Sequence, residues 1–138
     1  MKAFIAFVVL LLLVLGGVGG YLFLGKMNRI EPRGVGLTLS NPIPSEEIEF
    51  QKQRYNEILD RDEVLLNTVT KHGLKDYYGV ASDEKALELF RDDSFIELPG
   101  GKNLHVLFRG KRSTRKERES ATRTLAEDFV KAAQLMGN

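Results

Sequence analysis

The chain has no cysteine and no tryptophan, four prolines and two histidines in 138 residues. Without cysteine there is no disulfide framework and no thiolate metal site, which leaves the redox compartment open. The two histidines, His72 and His105, lack the HxxxH or HExxH spacing that makes a metal pair. They read as a solvated helix-end histidine and a sheet-surface histidine. Charge of one sign is also missing: 20 basic residues face 19 acidic ones, and apart from Lys2 the two balance. A neutral domain is no nucleic-acid binder by bulk charge. There is no internal repeat and no low-complexity tract.

What the sequence does have is one long uncharged run, Phe4–Leu24. Its length is close to the roughly 20 residues that cross a hydrocarbon core as a helix. Three readings compete for it. A retained transmembrane anchor leads, because apolar residues resume at Tyr21-Leu22-Phe23-Leu24 and extend the run to membrane thickness. A cleaved signal peptide would use Lys2, then Phe4–Leu15, then Val18-Gly19-Gly20 as its cleavage site. A buried core helix comes third. Tyr21 and Phe23 fall where an interfacial aromatic belt lies. Gly16 and Gly20 make one small-xxx-small spacing, a packing face through which two such helices would approach closely. Lys26, Arg29 and Arg33 follow the run, so the positive-inside count slightly opposes an outside C-terminal domain, whereas a short charged start before an apolar run is usual for an exported one.

The expected organisation is an anchor over 1–25, a connector over 26–34 and an α+β domain over 35–138. Val35–Ser40 alternates with period two and reads as a strand. Ser45 caps a helix with an acidic first turn (Glu46, Glu47) and an apolar side of Ile48, Tyr55, Ile58 and Leu59. Asp60 and Glu63 have capping-box spacing and open a second helix, stopped at Gly73. Asp76-Tyr77-Tyr78-Gly79 reads as a turn, and Ser82 caps a third helix ending near Asp92. Phe95–Leu98 and Leu104–Phe108 flank Pro99–Asn103 as a hairpin. Thr114 and Glu117 open the last helix, with a stripe of Ala121, Leu125, Phe129, Ala132, Ala133 and Met136. The order β-α-α-α-β-β-α predicts a mainly antiparallel sheet of three or four strands, helices on one face, behind a single membrane helix.

No acid, base, nucleophile or metal set converges, so the expectation is a non-enzymatic protein with no catalytic residue, cofactor or metal. Asp92-Asp93 lacks the alternating ligands of a calcium loop. Pro99-Gly100-Gly101-Lys102 lacks the spacing of a phosphate loop and precedes no helix. The most unusual segment is Lys111–Arg118. Cations at a helix N-terminus oppose its dipole. Lys111, Arg112, Arg115, Lys116 and Arg118 read either as a solvated face or as a basic patch for anionic headgroups or an acidic partner. Glu46 to Glu63 is rich in acidic residues, so acidic and basic ends would suit head-to-tail contacts between copies.

Phe50 to Ala133 resembles the base domain of Wzz-type polysaccharide chain-length determinants, also called polysaccharide co-polymerases. The resemblance rests on Tyr55-Asn56-Glu57-Ile58-Leu59, Arg61 to Val69 and Leu74. It continues through Glu84 to Asp93, Asn103 to Phe108 and Ala121 to Val130. The chain departs from that pattern in lacking the long helical coil and second membrane span, as a truncated form would. The resemblance implies a membrane-anchored scaffold of surface-polysaccharide biosynthesis or export. It would sit in a bacterial inner membrane as a single-pass protein with a periplasmic domain, homo-oligomeric and contacting polysaccharide polymerase or export machinery. The alternative is a small membrane-anchored binding subunit of another envelope complex, docking through the basic patch.

Overall fold

A computed structural model describes residues 29–137. Strand β1 (Ile30–Thr38) leads through a 3-10 turn, Ser45–Glu47, into helices α1 (Ile48–Leu59), α2 (Asp62–Lys71), α3 (Leu74–Tyr78) and α4 (Asp83–Asp93). Strand β2 (Ser94–Glu97), a turn at Pro99–Gly101 and strand β3 (Asn103–Lys111) follow. A second 3-10 turn, Arg112–Thr114, then enters α5 (Arg115–Gly137). The sheet is antiparallel throughout, in the order β1-β3-β2.

Composition explains why β3 takes the centre. Its run Leu104-His105-Val106-Leu107-Phe108 is buried at every position, as a strand paired on both edges and shielded on both faces should be. Leu104, Val106 and Phe108 join Ile96, Leu59, Leu65, Phe90, Leu125 and Phe129 in one core with the helices. Phe108 is its aromatic hub, 4.8 Å from Phe90 and 5.4 Å from Tyr77 between ring centroids, both edge-on. Burying a side chain of this size stabilises by about 1.5–3 kcal/mol before packing is counted.

The fold expected from sequence needs correction. Among the described residues no helix is long and apolar enough to cross a membrane. The anchor run Phe4–Leu24, with its packing pair Gly16 and Gly20, lies outside the described residues. The described residues also hold five α-helices rather than four, because Leu74–Tyr78 is helical where a turn was expected. Gly73 (φ 60°) and Gly79 (φ 67°) bound it in the left-handed conformation that favours glycine. Two αL stops six residues apart look like one turn in sequence.

Strand β1 begins at Ile30, inside the expected connector, and ends at Thr38. Its early half holds register because Arg29 O accepts from Arg112 N at 3.0 Å and Arg33 pairs with Glu119 of α5 at 3.3 Å. Of the expected helix caps, Ser82 caps as predicted, its Oγ accepting from Lys85 N at 3.2 Å. Ser45 and Asp60 make no side-chain cap. A 3-10 turn starting after Pro44 precedes α1, and Arg61 stands at the start of α2.

Replacing Phe108 with alanine is expected to lower the unfolding free energy of the full chain by about 3–5 kcal/mol, with loss of cooperativity in urea melts followed by circular dichroism. A change below about 1 kcal/mol would show that the aromatic hub is not the centre of the core.

Candidate interaction surface

The segment read as a basic patch is where the structure departs most from sequence. Arg118 points inward and is the largest fully buried side chain among the described residues. Its Nη1 donates to Glu31 O at 2.8 Å and to Phe108 O at 2.9 Å. Nη2 donates to Lys111 O at 2.6 Å, and Nε to Thr114 Oγ1 at 3.1 Å. Burial lowers its pKa from the usual arginine value, yet every nitrogen donates, as a charged guanidinium with satisfied protons does. Gly110 makes room for it: a Cβ there would stand 2.6 Å from Arg118 Cδ and 2.5 Å from Tyr77 Oη. Thr114, expected to cap α5, is occupied instead by Arg118 Nε and by Lys111 O, to which it donates at 2.7 Å.

Arg112 is buried as well, at 3% exposure. Lys111 and Lys116 are exposed and Arg115 half-buried. Two of the five cations are therefore interior groups, and the five do not form one basic surface. An i, i+3 and i+4 reading of a helix start cannot tell a solvated arginine from one folded back beneath the sheet end.

The histidines have structural places. His72 Nε2 lies 2.7 Å from Thr124 Oγ1 of α5. His105 is 6% exposed in the middle of β3, paired opposite Gly36 and Glu97. Burial lowers both pKa values. Asp93 accepts from Tyr78 Oη at 2.7 Å; burial raises the pKa of each. The pair sits beside the Phe108 hub, with Tyr77 and Tyr78 edge-on at 4.9 Å. Among the described residues no group of three His, Cys, Asp or Glu side chains is placed to hold a metal ion.

The surface that stands out lies at the β1 edge of the helix-covered face of the sheet, along the seam of β1 and α5. The two edge strands are treated differently. On β2, Asn56 of α1 closes the outward backbone groups of Ile96, accepting from its N–H at 2.8 Å and donating to its carbonyl at 3.1 Å. That side chain does for the edge what a further strand would do. On β1, Leu39 N donates to Lys102 O and Arg29 O accepts from Arg112 N, so odd-numbered residues face β3. The backbone groups of Ile30, Pro32, Gly34, Gly36 and Thr38 then face the edge, by antiparallel alternation. Pro32, which has no N–H, occupies one of these outward positions, where it costs the ladder nothing. Among the described residues no strand pairs with this edge.

Beside that edge runs an apolar groove of about 460 Å³, floored by Val35, Leu37, Ala126 and Val130. Arg123, Glu127 and Lys131, exposed at successive turns of α5, form its rim. A second hollow of about 360 Å³ shares Leu37 and Val130 and continues toward Leu39, Tyr55 and Phe129. Of the expected α5 stripe, Ala121, Leu125 and Phe129 are in the core and Ala132 and Ala133 pack on it, whereas Met136 is exposed; Ala126 and Val130, which line the seam, were not expected. The signal that could have found the seam is the pairing of two apolar stripes, Val35-Leu37-Leu39 along and just past β1 and Ala126-Val130-Ala133 on α5.

Comparison with known proteins adds no relative: no family model, curated protein or solved structure matches this chain.

Arg118 holds the first strand, the end of β3 and the start of α5 to one point. Arg118→Met is expected to destabilise the full chain by about 1–3 kcal/mol, the cost of leaving buried carbonyl acceptors unpaired, and Arg118→Lys to recover only part of it. Urea unfolding of the three proteins checks this; a loss within about 0.5 kcal/mol for Met would contradict it.

The histidines set a pH dependence. Their folded pKa values lie below the unfolded one, so the unfolded chain binds more protons below neutrality. Their contribution is present above the unfolded histidine pKa and is lost as pH falls from there through the folded values. Unfolding free energy is expected to fall between pH 7 and pH 5, and His105→Asn to flatten that decline. A slope unchanged in the variant would remove His105 from the account.

Proposed function

We propose that this chain is a non-enzymatic, membrane-attached scaffold whose α+β domain self-associates, in the manner of the chain-length determinants of surface polysaccharide that its sequence resembles. Attachment is through the uncharged run Phe4–Leu24, with the domain on the periplasmic side of a bacterial inner membrane. Copies pack around polysaccharide polymerase or export machinery and position it, without performing chemistry themselves.

The observation that carries this reading is the β1–α5 seam. An open strand edge beside an apolar groove with charged rims suits another protein surface. Several ionisable groups with raised or lowered pKa values have structural partners elsewhere: Asp93 with Tyr78, His72 with Thr124, Arg118 with three carbonyl oxygens. Asp93, His72 and Arg118 are dispersed, each held by its own partner, and these three do not make a general acid–base pair facing one cleft.

Deleting the chain from its producing organism is expected to broaden or shift the length distribution of surface polysaccharide on gels, with the sugar composition unchanged. An unaltered length distribution would contradict chain-length control. A reporter fused after Asn138 should be active only when periplasmic; activity confined to the cytoplasm would overturn the placement.

A further inference from the structure

Phe50 is the counterpart to the seam. It projects from the first turn of α1 at 68% exposure, although α1 has an apolar side that packs inward through Ile58 and Leu59. The position is not a frayed end, because Ile48 before it and Tyr55 after it both pack on the core. An aromatic ring left in water forfeits much of the stabilisation its burial would bring.

Its surroundings are charged in a definite order. Glu46 and Glu47, one turn before Phe50, are exposed, as is Glu49 beside it. Arg54, one turn after, is exposed and is held by Gln51 at 3.4 Å. The groove presents the converse. Apolar Val35, Leu37, Ala126 and Val130 line a space of about 460 Å³, within the size range of sites that enclose side chains or small ligands. The rim runs Arg123, Glu127, Lys131 along α5. Among the described residues, Glu46, Glu47, Arg123, Glu127 and Lys131 form no ion pair within the domain.

We propose that Phe50 of one copy inserts into the β1–α5 groove of a second copy. Glu46 and Glu47 then meet a cation of the rim. The contact joins two different patches, so it is heterologous, and each copy keeps one free knob and one free groove. Such contacts continue from copy to copy and close into a ring when the rotation permits. This inference rests on the self-association reading and specifies the surface that performs it. Glu46, Glu47 and Glu49 make the surroundings of the knob acidic, which suits a rim carrying two cations against one carboxylate.

The chain has no cysteine, so introduced thiols report without background. Full-length Gln53→Cys, one turn along α1 from an intact Phe50, and Val130→Cys proteins, in detergent, are treated with a short bis-maleimide separately and mixed, while light scattering gives the mass of the untreated chain. The expected result is a cross-linked band at twice the chain mass in the mixture and none in either protein alone, with scattering above the 15.5 kDa monomer. Phe50→Glu, at an exposed position, should return the scattering mass toward the monomer, and Lys131→Glu should weaken the mixed cross-link. A multiple of the monomer mass without a mixed cross-link overturns the Phe50 contact and leaves self-association standing. Cross-linking as strong in Gln53→Cys alone overturns the heterologous geometry. A monomeric mass at every concentration overturns both the contact and the scaffold reading.

Discussion

Four donor contacts from one buried guanidinium hold the domain's frame together. Arg118 reaches the carbonyls of Glu31, Phe108 and Lys111 and the hydroxyl of Thr114. These atoms belong to the first strand, the central strand and the turn that opens the long helix. Strand β1 is far from β3 in sequence, so its pairing must offset a large loop-closure entropy. The arginine ties its beginning to the sheet where side-chain packing is thin, since Pro32, Gly34 and Gly36 occupy alternate positions of the strand. A buried ion of this kind is no net gain over an apolar core by itself. What it supplies is register: the carbonyls that it gathers meet only when β1, β3 and α5 are correctly aligned.

That alignment has a consequence for the surface. With β1 fixed at its first half by Arg118 and by the Arg33–Glu119 pair, its second half runs beside α5 at a distance that leaves a groove. The opposite edge has no such opening, because Asn56 satisfies the outward groups of Ile96. One closed edge and one open edge give the domain a polarity. Protein association uses such polarity to grow in one sense and not the other. The clamp, the groove and the exposed Phe50 are thus connected through the placement of one strand.

Much of this frame is legible in the sequence because it depends on short-range patterns. The hairpin around Pro99–Asn103, the helices beginning near Ile48, Asp62 and Asp83, and the joining of the first strand to the hairpin all follow from periodicity and turn residues. What escaped depends on tertiary placement. Leu74–Tyr78 lies between two glycines whose left-handed conformations a sequence does not reveal. Arg118 looks like one more cation in a basic run, because nothing local announces that Gly110 leaves it a path inward. The groove needs two stripes remote in sequence to lie side by side, and Val35 and Val130 show their relation only once the sheet order is known.

Amide hydrogen exchange on the full chain, followed at low and high protein concentration, tests the central claim that the β1–α5 seam is where copies meet. Protection is expected to rise with concentration at Val35 to Thr38, along Arg123 to Lys131 and around Phe50, while β3 and the Asn56-sealed edge of β2 stay constant. Exchange at the seam that does not depend on concentration, in a chain shown to be oligomeric, would contradict it.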